Sequence, residues 1–238
     1  MKLLVSVVDK VEALDGIRGG ADILDVKNPK EGSLGANFPR VIQEVKSVVP
    51  KNLEVSATIG DLPNLPGTAS LAALGAAVSG VDYVKVGLFG VKTSKDATTM
   101  MTEVVKAVKA YDSCLKTITS GYADFRDVGS VSPLELPMVA YKAEADGVLV
   151  DVKTKNGTDN LFSFLTDEQL RDFVTQAHDC NLLAALAGSL DITDIPMLYS
   201  LGADIIGVRG AVCTQKDRLT GKLEEEKVMA FAYELSKL

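Results

Sequence analysis

Two lysines, two aspartates and an arginine stand in otherwise apolar stretches, and their types define a chemistry. Lys27 ends Ile23-Leu24-Asp25-Val26-Lys27, and Lys85 sits in Tyr83-Val84-Lys85-Val86-Gly87. Asp151 ends Val148-Leu149-Val150-Asp151, and Arg209 ends Ile206-Gly207-Val208-Arg209. Charges among branched aliphatics are costly to bury, and clusters of perturbed ionisable groups gather at functional sites. A lysine in water-poor surroundings or beside other cations loses its proton readily. Its free amine can attack an aldehyde or ketone to form a Schiff base. The imine is an electron sink, and a neighbouring carboxylate or second amine moves the protons. Lys27 is then the candidate nucleophile, with Lys85 or Asp151 as the proton carrier. A single pair such as Asp25 and Lys85 could equally be a structural ion pair. Five such charges at corresponding places read as a site.

The correspondence comes from a repeat. Ala21-Asp22-Ile23-Leu24-Asp25-Val26-Lys27, Val81-Asp82-Tyr83-Val84-Lys85-Val86-Gly87, Ala145-Asp146-Gly147-Val148-Leu149-Val150-Asp151 and Ala203-Asp204-Ile205-Ile206-Gly207-Val208-Arg209 are four versions of one phrase. Their leading aspartates are 60, 64 and 58 residues apart (82−22, 146−82, 204−146). Short apolar runs at 3–8, 22–27, 54–59, 83–88, 115–120, 147–152, 182–187 and 205–208 read as strands covered on both faces. Helical periodicity falls at 40–49, 68–79, 94–111, 133–144, 167–180, 192–200 and 224–235. Ser132-Pro133 and Thr166-Asp167 are helix-start signals, and Gly19-Gly20, Ser79-Gly80 and Leu201-Gly202 are exits. Eight evenly spaced βα alternations predict a single (β/α)8 TIM barrel over residues 1–238, with a doubly wound open sheet as the alternative.

The repeated phrase falls on strands two, four, six and eight. Alternate residues of a strand share a face, so positions +3 and +5 from each leading Asp point the same way. The first set is Asp25, Lys85, Leu149 and Gly207; the second is Lys27, Gly87, Asp151 and Arg209. Both should converge near the C-terminal mouth of the barrel, where such enzymes hold their sites. Ala187-Gly188-Ser189 after strand seven and Gly207-Val208-Arg209-Gly210-Ala211 at strand eight are candidate phosphate-binding loops. Gly188, Ser189, Gly207 and Gly210 would offer backbone N–H groups and Arg209 a bidentate fork. Each pair of glycines alone could be only a tight turn. The loop 28–37, rich in turn residues, is a candidate lid or an ordinary connector.

Composition narrows the partners. Of 238 residues 47% are hydrophobic, enough for a large core, and the net charge of −7 disfavours nucleic acid and anionic membrane. No stretch approaches the length of a membrane span. Three widely spaced cysteines point to a reduced cytoplasm, to packing roles and to no metal cluster. A lone His178 late in a helix reads as a polar cap rather than a catalytic base. A homo-oligomer is compatible with this fold, and no exposed stripe marks its interface.

The segment Asp25-Val26-Lys27-Asn28-Pro29-Lys30-Glu31-Gly32-Ser33-Leu34-Gly35-Ala36 closely resembles the (5-formylfuran-3-yl)methyl phosphate synthase family. So do Val55-Ser56-Ala57-Thr58-Ile59-Gly60-Asp61, Tyr83-Val84-Lys85-Val86-Gly87, Gly121-Tyr122-Ala123-Asp124, Ala187-Gly188-Ser189 and Gly207-Val208-Arg209-Gly210-Ala211. The resemblance implies a TIM barrel without metal or other cofactor, acting in methanofuran biosynthesis. It implies condensation of two glyceraldehyde 3-phosphate molecules to a phosphorylated furan aldehyde, with loss of phosphate and water. It makes Lys27 the Schiff-base residue and Lys85 the acid/base, assisted by Asp25, Asp151 and Lys155. Where the family carries Thr-Ala after the strand-six aspartate, this chain has Val152-Lys153, so Lys153 and Lys155 compete for the mouth. A class I aldolase or triose-phosphate isomerase-like enzyme would use the same lysine and phosphate loops. A non-catalytic phosphometabolite-binding barrel would need no free amine.

Overall fold

The computed structural model describes residues 1–155 and 157–238; of the loop Thr154-Lys155-Asn156-Gly157 expected from the sequence, Asn156 lies outside them. Among the described residues eight parallel strands follow one another around a closed barrel. They are β1 (Lys2–Val7), β2 (Ile23–Val26), β3 (Glu54–Pro63), β4 (Tyr83–Gly90), β5 (Lys116–Tyr122), β6 (Gly147–Asp151), β7 (Leu183–Ala187) and β8 (Ile205–Val208). The β1–β8 pairing, with Lys2 opposite Ile205 and Val5 opposite Val208, closes the cylinder. The fold is therefore the (β/α)8 barrel expected, not the open sheet.

The outer helices are α1 (Lys10–Arg18), α2 (Pro39–Lys46), α3 (Pro66–Val78), α4 (Ser94–Tyr111), α5 (Phe125–Val128), α6 (Leu136–Lys142), α7 (Leu161–Phe164), α8 (Asp167–Asp179), α9 (Ile195–Ser200) and α10 (Glu225–Leu235). Periodicity overlooked α1, because its apolar Val11 and Leu14 face solvent while its buried positions are Glu12, Ala13 and Gly16. Its start is nonetheless capped by the Asp9 carboxylate, which accepts from the N–H groups of Val11 and Glu12. The helices expected at 133–144 and 192–200 each begin with a 3₁₀ turn, Pro133–Glu135 and Ile192–Asp194, with a proline in the first turn of α6 and α9.

The leading aspartate of the repeated phrase has one job, done four times. Asp22 accepts from Leu3 N (2.8 Å), Asp82 from Val55 N (2.7 Å), Asp146 from Thr117 N (2.7 Å) and Asp204 from Ala184 N (2.8 Å). Each carboxylate just before an even strand thus ties down the start of the preceding odd strand. These bonds lie at the N-terminal end of the barrel, the end that carries stability.

Inside the cylinder the side chains form layers. Leu4, Ile23, Tyr83, Ile118, Leu149, Ala185 and Ile205 make an apolar plug separate from the larger core between strands and helices. One step toward the mouth the layer turns polar. Pairing sets Ser6 opposite Asp25 and Asp25 opposite Ser56, so two hydroxyls flank one carboxylate.

Candidate active site

Asp25 is fully buried on the short strand β2 and is the centre of that polar layer. It accepts from Ser56 Oγ (2.6 Å) and Ser6 Oγ (3.2 Å), and Lys85 Nζ lies 2.7 Å from its Oδ2. Burial alone would raise its pKa. The charges of Lys85 and Lys27 and these hydrogen bonds outweigh it and hold the carboxyl below its ordinary value. Both members of the Asp25–Lys85 pair are shielded from solvent, so the pair keeps a fixed geometry beneath the mouth.

Lys27 follows β2 at the next inward position, and parity delivers it as expected. Its side chain is buried but reaches a cavity of about 1200 Å³ that also meets Asp25, Lys85, Asp151 and Lys155. Loss of solvation is the largest influence on its ammonium. The charges of Asp151 and Asp25 oppose it, those of Lys85 and Arg218 reinforce it, and the amine is pushed down to about 8. At neutral pH a usable fraction is therefore the free base, as imine formation requires.

Asp151, at the end of β6, is the second buried carboxylate. Burial would raise its pKa, but Lys155 and Lys27 dominate and hold it well below the usual carboxylate range. Lys155 Nζ sits 2.6 Å from Asp151 Oδ1, and Ser33 Oγ donates to Asp151 Oδ2 at 2.9 Å. Of the two lysines in this loop, Lys155 therefore serves Asp151. Lys153 turns aside, with its Nζ 3.3 Å from Asp61 Oδ2 and 4.7 Å from the centre of the Phe89 ring. Both still line the cavity.

The loop 28–37 is a lid over part of the mouth. Asn37 Nδ2 donates to the carbonyl of Val8 (2.9 Å), Thr58 Oγ1 to that of Gly35 (2.7 Å), and Ser33 reaches Asp151. The chain thus runs from Lys27, just after β2, to the end of β6 across the barrel. Gly32 has φ +150, and a Cβ there would collide with the Asp61 carboxylate, so a glycine is required for the crossing.

Gly188, Ser189, Gly207, Arg209 and Gly210 all border the cavity, as expected. Their geometry adds other duties. Gly188 (φ +116) would place a Cβ 2.8 Å from Val152, and Gly207 one 3.1 Å from the Ala187 Cβ, so both glycines allow close approach between strands. Ser189 holds a left-handed φ of 56. Arg209 departs most from the expected phosphate fork. Nη1 donates to Glu12 Oε2 (2.8 Å) and to the carbonyl of Ser6 (2.9 Å), Nη2 to Glu12 Oε1 (3.3 Å), and Nε to the carbonyl of Arg218 (2.9 Å). Its buried guanidinium is engaged by protein on every nitrogen.

Ser6, Ser33, Ser56 and Arg218 were not singled out by the sequence. The two strand serines become visible only once Asp25 is placed in register, and the other two lie in loops without a period. Tyr122 donates to Asp61 and is fully buried; burial and that carboxylate raise its phenol pKa. Asp124 accepts from Lys153 N and Thr154 N (both 2.8 Å) and so shapes the β6 loop. His178 contacts Asp204 (3.0 Å) at the opposite end of the barrel, and buried Cys213 lies beside the β8 loop. Among the described residues, no group of three or more His, Cys, Asp and Glu is placed to hold a metal ion. No helix of the described residues is long and apolar enough to cross a membrane.

Comparison with known proteins bears on the chain as a whole. A family model described as 4-HFC-P synthase matches residues 3–232. The chain is 54% identical over 213 residues to the (5-formylfuran-3-yl)methyl phosphate synthase of Methanosarcina barkeri, covering 90% of this chain and 91% of that one. It is 49% identical over 235 residues to the protein of the same name from Methanopyrus kandleri, covering 99% of both. Among solved structures, KGPDC from Streptococcus mutans superposes with a TM-score of 0.68 at 11% identity, over 99% of this chain and 97% of that one. The 3-hexulose-6-phosphate synthase from Salmonella typhimurium gives 0.64 at 17%, over 98% and 99%. At those identities the two structures speak to the barrel alone.

Proposed function

The chain belongs to the 4-HFC-P synthase family, a family of enzymes, and from that membership we propose that it condenses two glyceraldehyde 3-phosphate molecules to (5-formylfuran-3-yl)methyl phosphate, a step of methanofuran biosynthesis. The observation that carries this reading is the buried Lys27 amine, pushed down to about 8, in a cavity shared with Asp25, Lys85, Asp151 and Lys155.

The product's skeleton dictates which bonds form. The formyl carbon, the ring carbon that bears it and the ring CH beyond come from one triose, which has lost its phosphate. The phosphomethyl arm and the other two ring carbons come from the second. Lys27 attacks C1 of the first triose and expels water, giving an iminium. Loss of a C2 proton gives an enaminol, and the nitrogen electron pair expels phosphate from C3. The exposed C3 is then attacked by C2 of the second triose, reacting as its enediol. The C2 oxygen of the first unit closes on the aldehyde of the second. Two molecules of water leave as the ring becomes aromatic, and hydrolysis of the iminium returns Lys27. The net change is two triose phosphates to one furan, one phosphate and two waters.

The residues suit these steps. Asp151 is a weak base, so it serves the iminium electrostatically, as the anion that faces a nascent cation. Lys155, held on Asp151, serves as the acid that protonates the leaving phosphate oxygen. Lys85, held on Asp25, moves protons at the carbon nearer the barrel floor. The test is incubation with glyceraldehyde 3-phosphate. An ultraviolet furan-aldehyde chromophore and one phosphate per furan are expected, with borohydride fixing an adduct on Lys27. Cleavage or isomerisation without the chromophore would defeat the reading.

A further inference from the structure

Among the described residues, ion pairing in the mouth leaves two cations over that are not exposed to solvent. Asp25 is matched by Lys85, Asp151 by Lys155, Asp61 by Lys153 and Glu12 by Arg209. Of the described cations that line the cavity, Lys27, Lys30 and Arg218 make no ion pair, and Lys30 is exposed to solvent. Lys27 has covalent work to do. Building on the function proposed above, we propose that Arg218 is the residue that grips the phosphate of the triose carried on Lys27.

The geometry fits an anion fork waiting for its ligand. Arg218 is half-buried on the cavity wall, and among the described residues its guanidinium makes one hydrogen bond, from Nη2 to the carbonyl of Gly32 (3.0 Å). A guanidinium has five N–H groups in a rigid plane suited to phosphate. Its pKa is lowered, first by burial and then by Arg209, against the charge of Asp151, which marks a cation the protein has not fully compensated. Its charge also reaches the Lys27 amine. A phosphate here would therefore meet both unmatched cations.

The loop is built to hold that side chain still. The Asp217 carboxylate, just before Arg218, accepts from the N–H groups of Leu219 (2.8 Å) and Thr220 (3.2 Å), just after it. Gln215 and Lys216 both hold left-handed φ values, 53 and 56, a conformation that persists only where the surroundings fix it. Gly210 has no Cβ, and one there would stand 3.2 Å from the Lys216 carbonyl. The Arg209 Nε bond to the Arg218 carbonyl completes the support. Arg209 and Gly210 thus act as positioning residues for Arg218. The contact with Gly32 ties the fork to the lid that begins beside Lys27.

Two measurements on Arg218→Gln test this. Inorganic phosphate binding, read by calorimetry without turnover, should weaken roughly 10- to 100-fold, the range of a lost charge-assisted hydrogen bond. Borohydride trapping on Lys27 should fall by a similar factor with glyceraldehyde 3-phosphate and much less with unphosphorylated glyceraldehyde. Arg218→Lys, which keeps the charge but not the fork, should fall between. Unchanged phosphate affinity, or equal slowing with both aldehydes, would overturn the assignment. Phosphate binding that depends on Arg218 in a protein that makes no furan would uphold this inference while defeating the function proposed above.

Discussion

The Lys27 amine allows a sharp experiment. Burial takes it from the model-compound value of 10.5 to about 8. At pH 7 about one molecule in ten then carries the free amine, against roughly one in 3000 for an ordinary lysine, a gain of about 300-fold. Trace acetylation with acetic anhydride, quantified peptide by peptide, reads the free base directly. The Lys27 rate should climb about tenfold per pH unit below 8 and then level off. A free Nα-acetyl-lysine amide added to the same sample should keep climbing past pH 10. The opposing charges give two signed checks. Asp151→Asn removes an anion and should move the Lys27 midpoint down; Arg218→Gln removes a cation and should move it up. A Lys27 curve that tracks the free amine standard, or shifts of the opposite sign, would refute the argument that burial activates this amine.

Other perturbations separate the parts of the molecule. Lys85→Met strips a buried carboxylate of its cation and should cost about 3–5 kcal/mol in urea unfolding. In the wild type, Asp25 sits below its ordinary pKa, so its contribution is present above about pH 4 and lost as pH falls through the folded value. In the variant burial dominates and raises that pKa, so the deficit should be larger at pH 7.5 than at 5.5. Asp146→Ala removes the acceptor for Thr117 N and Thr117 Oγ1 at the far end of the barrel, and should cost about 2 kcal/mol while kcat stays near wild type. Gly87→Ala would set a Cβ 2.5 Å from Tyr122 Oη and 2.9 Å from Asp61 Oδ1, costing about 1–3 kcal/mol in thermal unfolding. Ser33→Ala loosens the lid from Asp151 and should raise KM more than it lowers kcat in steady-state assays.

The parts that could be read from the sequence are those with a period. Strands covered on both faces announce themselves as aliphatic runs, and β8 begins and ends where the run 205–208 does. Asp25, Lys27, Lys85 and Asp151 were assigned to one face by parity, and the cavity receives all four. Arg209 was placed on the right face with the wrong partner in view. Its carboxylate, Glu12, lies 197 residues away on a helix whose pattern hardly registers. Arg218 sits in a loop that turns through two left-handed residues, where no repeat exists to count. Long-range ion pairing and loop shape, not propensity, decide which arginine stays open to a ligand.

The fourfold phrase therefore encodes two separable things in seven residues. Its leading aspartate binds a backbone N–H of the preceding strand at the N-terminal end, and the same bond recurs at Asp22, Asp82, Asp146 and Asp204. The third and fifth residues after that aspartate differ from copy to copy, and those differences make the mouth. They supply Asp25 and Lys27, then Lys85 and Gly87, then Leu149 and Asp151, then Gly207 and Arg209. A barrel assembled from like units would be symmetric and chemically idle. Here one copy offers an unpaired amine, two supply the ion pairs that surround it, and the fourth turns its arginine inward to Glu12 while holding the loop that presents Arg218. The chain carries a net charge of −7, yet its buried mouth leaves cations unmatched, and that local imbalance is what a phosphorylated aldehyde would find.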